Sequence, residues 1–146
     1  MNVVIDASVW VSAFVATDVH NAQSDALLEA CLAARAKVIV PEIVLLEIAA
    51  GVARVLQHDG RGQIAAKRVE RFPGIKLVPL QTSLLNKSIL LATRHYLRAA
   101  DALYVATARE FKAALITLDG EMLRCGATGT SPLTPAQWLD TLPTER

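Results

Sequence analysis

The chain has 146 residues, of which 53% are hydrophobic, and its 15 basic and 14 acidic side chains give a net charge of +1. This length suits one domain with one core, and no apolar run reaches the roughly 18 uncharged residues of a membrane span. The start "MNVVID" lacks the pattern of a secretion signal, and Cys31 and Cys125 show no disulfide or zinc-binding spacing, so we expect a cytoplasmic protein without membrane association.

Short apolar runs alternate with longer helical patterns in chain order. The short runs, rich in β-branched residues and leucine, predict buried parallel strands at 3–5, 38–40, 77–78 and 115–118. Apolar residues at helical spacing predict helices at 7–16, 22–35, 42–57, 62–71, 82–95 and 101–112. A weaker strand near 128–131 and a short helix at 135–139 complete the pattern. The alternation predicts one α/β domain over residues 1–146 with a mainly parallel sheet.

Four carboxylates stand at positions that invite a functional interpretation. Asp6 ends the first strand, and Asp119 ends the last strong one. Asp101 falls in the first turn of a helix, whereas Glu47 lies in a helix that is apolar on nearly every face. Each also has an ordinary explanation. Helix capping is sufficient for Asp6 and Asp101, and a turn is sufficient for Asp119 in its Asp-Gly pair. A buried ion pair is the ordinary explanation for Glu47.

These four acids are expected to meet at one edge of the sheet, because the carboxyl ends of parallel strands share an edge where ligands bind. Two carboxylates about 5 Å apart repel by roughly 3 kcal/mol at an effective dielectric near 20, so four would cost on the order of 10 kcal/mol. This is comparable to the stability of a whole domain. A hard divalent cation, Mg²⁺ or Mn²⁺, is the usual remedy. Ser8 and Thr117 each stand two residues from one of the aspartates. Their hydroxyl groups are expected either to contact the metal's water shell or to make ordinary local hydrogen bonds.

A metal held by carboxylates can activate water for attack on a phosphodiester. Residues 54–76 carry six basic against two acidic side chains. Such a run is typical of a solvated helix face, or of a surface that holds the phosphates of a nucleic acid strand. The candidates for RNA contacts are Arg54, Arg61, Lys67 and Arg68.

Four segments in order resemble the signature of the PIN domain, and in particular of VapC-type toxins from toxin–antitoxin pairs. They are "VVIDAS" at the start, "PEIVLLEIA" at 41–49, "AADALYVATA" at 99–108 and "LITLDGEM" at 115–122. The resemblance implies a three-layer α/β/α fold with four to five strands in a mainly parallel sheet. It also implies a Mg²⁺- or Mn²⁺-dependent endoribonuclease that dimerises and is neutralised by a small antitoxin protein. The acidic quartet of the family would then be Asp6, Glu47, Asp101 and Asp119.

Two further residues take their interpretation from the same segments. Thr117 matches a hydroxyl position beside the quartet. Glu42 is acidic within the second segment, but it stands at a helix start marked by Pro41, where capping is a sufficient role.

Two other interpretations remain open. The first is a PIN-like module that binds RNA or a protein without cutting, with the acids serving only to bind a stabilising metal. The second is a phosphoacceptor receiver domain, which expects paired acids after the first strand and a lysine after a late strand. Asp6 stands alone and "LITLDG" contains no lysine, so the sequence disfavours the second. The residues do not distinguish Mg²⁺ from Mn²⁺, or one ion from two.

Overall fold

The computed structural model describes residues 1–125 and 129–143. Over these residues, strands and helices alternate as the hydrophobic pattern predicts. The strands are β1 (Asn2–Ile5), β2 (Lys37–Pro41), β3 (Ile75–Val78) and β4 (Ala114–Ile116). The helices are α1 (Ala7–Phe14), α2 (Asn21–Ala33), α3 (Ile43–Leu56), α4 (Asp59–Glu70), α5 (Thr82–His95), α6 (Ala99–Glu110), α7 (Gly120–Leu123) and α8 (Pro135–Leu139).

The four strands form one parallel sheet in the order β3-β2-β1-β4. Val3 pairs with Val38 on one side of β1, and Val4 pairs with Leu115 on the other. The chain therefore leaves β1 towards β2 and later returns to the opposite side of β1 at β4. The carboxyl edge between β1 and β4 is the point where parallel α/β sheets commonly bind ligands.

Both faces of the central strand are covered. Val3, Val4 and Ile5 are all 0% exposed, and successive side chains of a strand point to opposite faces of its sheet. Helices must therefore lie on both faces, which gives the expected α/β/α layering. This double burial explains why the strand has a continuous apolar sequence and no alternating pattern.

Trp10 fixes the first helix against the end of β1. Its side chain is 1% exposed, its Nε1–H donates a hydrogen bond to the Ile5 carbonyl at 3.3 Å, and its ring packs edge-on against Phe72 at 5.2 Å between centroids. An indole that is buried with its N–H satisfied restrains the chain on both sides of the strand-to-helix turn. The turn between Ile5 and Ala7 carries Asp6.

The structure corrects the expected weak strand near 128–131. Residue 128 lies outside the described residues, and residues 129–131 form no strand. Pairing occurs two residues later, where Leu133 forms a single parallel bridge with Ile116. The Thr117 N–H donates to the Leu133 carbonyl at 3.0 Å, and the Leu133 N–H donates to the Leu115 carbonyl at 2.9 Å. The bridge holds the chain that follows β4.

Helix α4 begins at Asp59, three residues before the predicted start. His58 provides the reason, since its Nδ1 accepts a hydrogen bond from the Arg61 N–H and caps the helix. No helix among residues 1–125 and 129–143 has the length and hydropathy needed to cross a bilayer.

Helices α3 and α4 pack closely at Gly62, so we predict that Gly62→Ala destabilises the fold. An added Cβ would lie 2.3 Å from the Ala49 carbonyl oxygen and 2.8 Å from the Ala53 Cβ. Overpacking against backbone costs about 1–3 kcal/mol in the free energy of unfolding, measured by urea denaturation.

Gly60→Ala is the matched control on the same helix. The nearest atom to its added Cβ is the Cε1 of the exposed His58 side chain, at 3.2 Å. We expect a change within about 0.5 kcal/mol, or a gain from helix propensity. Equal stability of the two variants would contradict the close α3–α4 contact.

Candidate metal centre

The four acids expected from the sequence line one cleft. It has a volume of about 290 Å³, lies at the carboxyl ends of β1 and β4, and is lined by Asp6, Ala7, Ser8, Glu47, Arg98, Ala100, Asp101 and Asp119. The acids come from four separate parts of the chain. Their convergence follows from the parallel topology. Asp6 and Asp119 follow β1 and β4, whereas Asp101 and Glu47 lie in the first and second turns of helices α6 and α3.

Asp6 is held by two hydroxyl groups. Its side chain occupies the N-cap position of α1 without making a capping hydrogen bond. Instead, Asp6 Oδ2 accepts hydrogen bonds from Ser8 Oγ at 2.6 Å and from Thr117 Oγ1 at 2.8 Å. The residue is 6% exposed. Burial raises its pKa, and the two hydroxyl groups oppose this shift.

The same hydroxyl groups join the ends of β1 and β4. Ser8 Oγ accepts a hydrogen bond from the Leu118 N–H at 3.1 Å, and Thr117 Oγ1 accepts one from the Asp119 N–H at 3.0 Å. Each hydroxyl therefore donates to Asp6 and accepts from a backbone N–H of the loop that follows β4. This is the local hydrogen bonding that the sequence left open for both residues, and it fixes the distance between two of the acids.

Glu47 is half-buried in the second turn of α3. Its Oε1 accepts a hydrogen bond of 2.7 Å from the hydroxyl of Tyr104, a fully buried residue of α6. None of the ion pairs among the described residues includes Glu47, so the alternative of a buried ion pair is not realised there. Burial raises the pKa of Glu47, and the negative charges of Asp6 and Asp101 raise it further against the opposing effect of the Tyr104 hydroxyl.

Asp101 and Asp119 stand on either side of the cleft. Asp101 is 8% exposed in the first turn of α6, and burial raises its pKa. Asp119 is partly exposed and caps α7, because its Oδ1 accepts hydrogen bonds from the Glu121 and Met122 N–H groups at 2.9 and 3.0 Å. Burial raises its pKa, but the hydrogen bonds from Met122 and from Arg98 outweigh that effect, so its pKa is lowered overall.

Arg98 is a site residue that the sequence interpretation missed. It immediately precedes α6, and its Nε lies 2.9 Å from Asp101 Oδ2 while its Nη2 lies 2.6 Å from Asp119 Oδ2. Its Nε is also 3.5 Å from Glu121 Oε2. The carboxylates of Asp119 and Asp101 raise the pKa of the guanidinium, which stays charged. The spacing of three residues between Arg98 and Asp101 at a helix start was the available signal.

The closest acidic group differs from the expected quartet. Asp101, Asp119 and Glu121 each offer a carboxylate oxygen within 4.8 Å of the others, and this is the metal-compatible group among the residues described. Arg98 draws these three together, whereas Asp6 is held by hydroxyl groups and Glu47 by Tyr104. Glu121 lies within the fourth signature segment, but no role is predicted for it from the sequence. All these donors are carboxylate oxygens, the ligands that hard divalent cations such as Mg²⁺ and Mn²⁺ prefer.

The structure corrects the capping role expected for Glu42. Glu42 stands at the N-cap position of α3, but its side chain makes no capping bond there. Its Oε1 instead accepts a hydrogen bond from the Leu80 N–H at 3.0 Å and so fixes the chain after β3.

The basic residues predicted to contact RNA lie outside the acidic cleft. Arg54, Arg61, Lys67 and Arg68 are exposed on α3 and α4. Arg61 and Arg68 line a separate cleft of about 300 Å³ together with Phe14 and Ile64. Their assignment to RNA binding stays a prediction.

The profile of the PIN domain family matches residues 3–127, so the chain belongs to the PIN domain family. The chain resembles the Mycobacterium tuberculosis toxin VapC20, described as cleaving the sarcin–ricin loop, with a TM-score of 0.70, 19% identity and coverage of 85% of this chain and 95% of the toxin. It also resembles a chain of VapBC2 from Rickettsia felis, solved with a promoter DNA fragment, with a TM-score of 0.69, 16% identity and coverage of 92% and 98%. A chain of FitAcB from Neisseria gonorrhoeae gives a TM-score of 0.66, 20% identity and coverage of 93% and 99%. No curated protein sequence matches the chain.

The raised pKa of Asp6 predicts a pH dependence of stability when divalent metal is removed with a chelator. Because the folded pKa lies above the usual carboxyl value of 3.8, the folded state binds more protons than the unfolded state between the two values. Its free energy of unfolding therefore falls as pH rises through that window. Asp6→Asn keeps an acceptor for Ser8 and Thr117 and removes the buried charge. At pH 7 we expect this variant to be more stable than wild type by on the order of 1 kcal/mol.

Urea denaturation between pH 4 and pH 8 measures this effect. Asp25→Asn, which changes an exposed carboxylate on α2, controls for the change in net charge and should follow the wild-type profile. If, in the presence of chelator, the wild-type protein becomes more stable relative to Asp6→Asn as pH rises, the raised pKa of Asp6 is contradicted.

Proposed function

We propose that the chain is a Mg²⁺- or Mn²⁺-dependent endoribonuclease that acts as the toxin of a toxin–antitoxin pair. The observation that carries the proposal is the convergence of Asp6, Glu47, Asp101 and Asp119 in one cleft. Membership of the PIN domain family supports the same chemistry.

The energetics of the cleft favour an added cation. Burial raises the pKa of Asp6, Glu47 and Asp101, which means that their ionised forms are disfavoured without one. Arg98 contributes a single positive charge from a partly exposed side chain. A dication at the carboxylates would remove most of the remaining repulsion.

The residues divide into ligands and supports. Asp6, Asp101, Asp119 and Glu47 would hold the metal, with Glu121 beside them. When bound, the metal supplies an activated water for attack on a phosphodiester and stabilises the departing oxygen. Ser8 and Thr117 hold Asp6 in position and Tyr104 holds Glu47, so that the oxygens remain oriented towards the cleft.

Asp101→Asn tests the catalytic assignment. Loss of partners behind metal ligands already costs about 10- to 100-fold in metal affinity or activity, so loss of a ligand should lower the cleavage rate by more than about 100-fold. The assay uses end-labelled oligoribonucleotides and total bacterial RNA with Mg²⁺ or Mn²⁺, and the products are resolved on denaturing gels.

Asp25→Asn is the control and should cleave at the wild-type rate. Circular dichroism checks that both variants are folded. Wild-type activity in Asp101→Asn would remove that residue from the mechanism. A wild-type protein that binds RNA in metal without producing fragments would favour the alternative, a PIN-like binding module.

We further propose that the basic surface of α3 and α4 holds the RNA strand. Four exposed basic residues lie on α3 and α4, the two helices that follow β2. They are Arg54, Arg61, Lys67 and Arg68. Their function would be to bind phosphates, a contact that carries no base specificity.

The double variant Arg61→Gln/Arg68→Gln should weaken RNA binding and reduce its salt dependence. Loss of two phosphate contacts lowers the slope of log K against log[salt] by roughly 1.4 for a single strand. Filter binding at several salt concentrations, with Ca²⁺ to limit cleavage, measures the slope. Lys37→Gln is the control, because Lys37 is the first residue of β2 and lies at the amino end of the sheet; this variant should leave the slope unchanged. Equal slopes in wild type and the double variant would show that these two arginines do not bind the RNA.

Protein partners complete the proposal. Similar structures include a toxin–antitoxin complex from Klebsiella pneumoniae and VapBC2. We propose a small antitoxin and a second copy of the chain as partners here. Large apolar side chains of α3 and α4 are available for such contacts, since Leu46, Val55 and Ile64 are 69%, 55% and 57% exposed.

A further inference from the structure

Arg98 occupies the part of the cleft where a metal would be bound. Its side chain is 58% exposed, yet its guanidinium contacts Asp101, Asp119 and Glu121. These are the same three carboxylates whose oxygens lie within 4.8 Å of one another. The arginine therefore serves as the counter-cation of the acids in this structure.

A guanidinium and a divalent ion compete for these oxygens. Arg98 nitrogens lie 2.9 Å from Asp101 Oδ2 and 2.6 Å from Asp119 Oδ2. A Mg²⁺ ion coordinates carboxylate oxygens at about 2.0–2.1 Å and carries its own waters. It would meet both the nitrogen atoms and their positive charge. The positive charge of the arginine therefore opposes binding of the metal at these oxygens.

We infer that Arg98 is a resident competitor of the divalent metal. Its guanidinium withdraws from Asp101 and Asp119 when the metal binds. The inference rests on the proposed function, because it assumes that these carboxylates bind a metal. Arg98 thereby sets the metal concentration at which the site fills.

The geometry allows this withdrawal without loss of the ligands. Asp119 keeps its orientation when the arginine leaves, because its Oδ1 remains bonded to the Glu121 and Met122 N–H groups. The Arg98 carbonyl still accepts the hydrogen bond from the Ala102 N–H at 3.0 Å, so the start of α6 does not depend on the side chain. The guanidinium moves into solvent, where it is well hydrated.

A positioning role for Arg98 predicts the opposite effect on metal binding. If the arginine were needed to hold Asp101 and Asp119 in place, its removal would loosen the ligands and weaken the affinity for metal. The sign of the change in metal affinity therefore separates competition from positioning.

Manganese binding to the metal-stripped protein provides the test, with free Mn²⁺ measured by its electron paramagnetic resonance signal and no RNA present. We expect Arg98→Gln to bind Mn²⁺ about three- to tenfold more tightly than wild type, because exposed ion pairs of this kind are each worth up to about a factor of five. Arg98→Lys keeps the charge but loses the second contact, and it should fall between the two. Unchanged or weaker binding by Arg98→Gln would overturn the inference.

Arg94→Gln is the matched control for net charge. Arg94 is exposed in the last turn of α5, four residues before Arg98 in the chain, and lines a different cleft with Lys87 and Glu110. Its removal deletes one positive charge without touching the acids, so we expect less than about a twofold change, since exposed charges are screened by salt. An equal gain in both variants would assign the effect to net charge and overturn the competition.

The result also separates this inference from the proposed function. Metal-dependent RNA cleavage by the wild type, combined with equal Mn²⁺ affinity in wild type and Arg98→Gln, would reject the role of Arg98 alone. Absence of Mn²⁺ binding in every variant at millimolar concentration would reject both. If the inference is correct, the Mn²⁺ concentration for half-maximal cleavage should fall in Arg98→Gln by the same factor as the binding constant.

Discussion

Repulsion among carboxylates at one edge of the sheet is the constraint on which the functional account depends. Asp6, Glu47, Asp101 and Asp119 share one cleft, and each is held there by groups that do not neutralise it fully. Hydroxyl groups from Ser8, Thr117 and Tyr104 orient two of the acids but carry no charge. A cleft that keeps several carboxylates near each other at a cost in stability is typical of a cation site.

The fold positions this cleft through the neighbouring strands β1 and β4. Ile5 pairs with Ile116, and the Asp6 N–H donates to the Ile116 carbonyl at 2.9 Å, so the two strands end side by side. Trp10 then fixes the helix that follows β1. Because the backbone and the core determine these positions, the acids stay close together even though they repel each other. Metal ligands that are preorganised must be held in place in this way by the surrounding structure.

The sequence predicts the strands and the meeting of the four acids, because buried parallel strands have a distinctive apolar pattern and their carboxyl ends share an edge. It does not predict the role of Glu121 or the two carboxylate contacts of Arg98, since those depend on how α6 and α7 are turned towards each other. The hydrogen bond from the Tyr104 hydroxyl to Glu47 is not predicted either, because a tyrosine in an apolar helix ordinarily packs in the core. The weak strand near 128–131 was wrong where the structure describes it, because Leu133, and not residues 129–131, forms the bridge to β4.

The most direct test of the central claim is the position of Mn²⁺ in crystals of the protein, located by its anomalous scattering. A bound Mn²⁺ should give a peak within about 2.5 Å of carboxylate oxygens from the shared cleft, with the Arg98 guanidinium moved away from Asp119. A cleft without a Mn²⁺ peak at saturating metal, in which Arg98 still bridges Asp101 and Asp119, would contradict that claim.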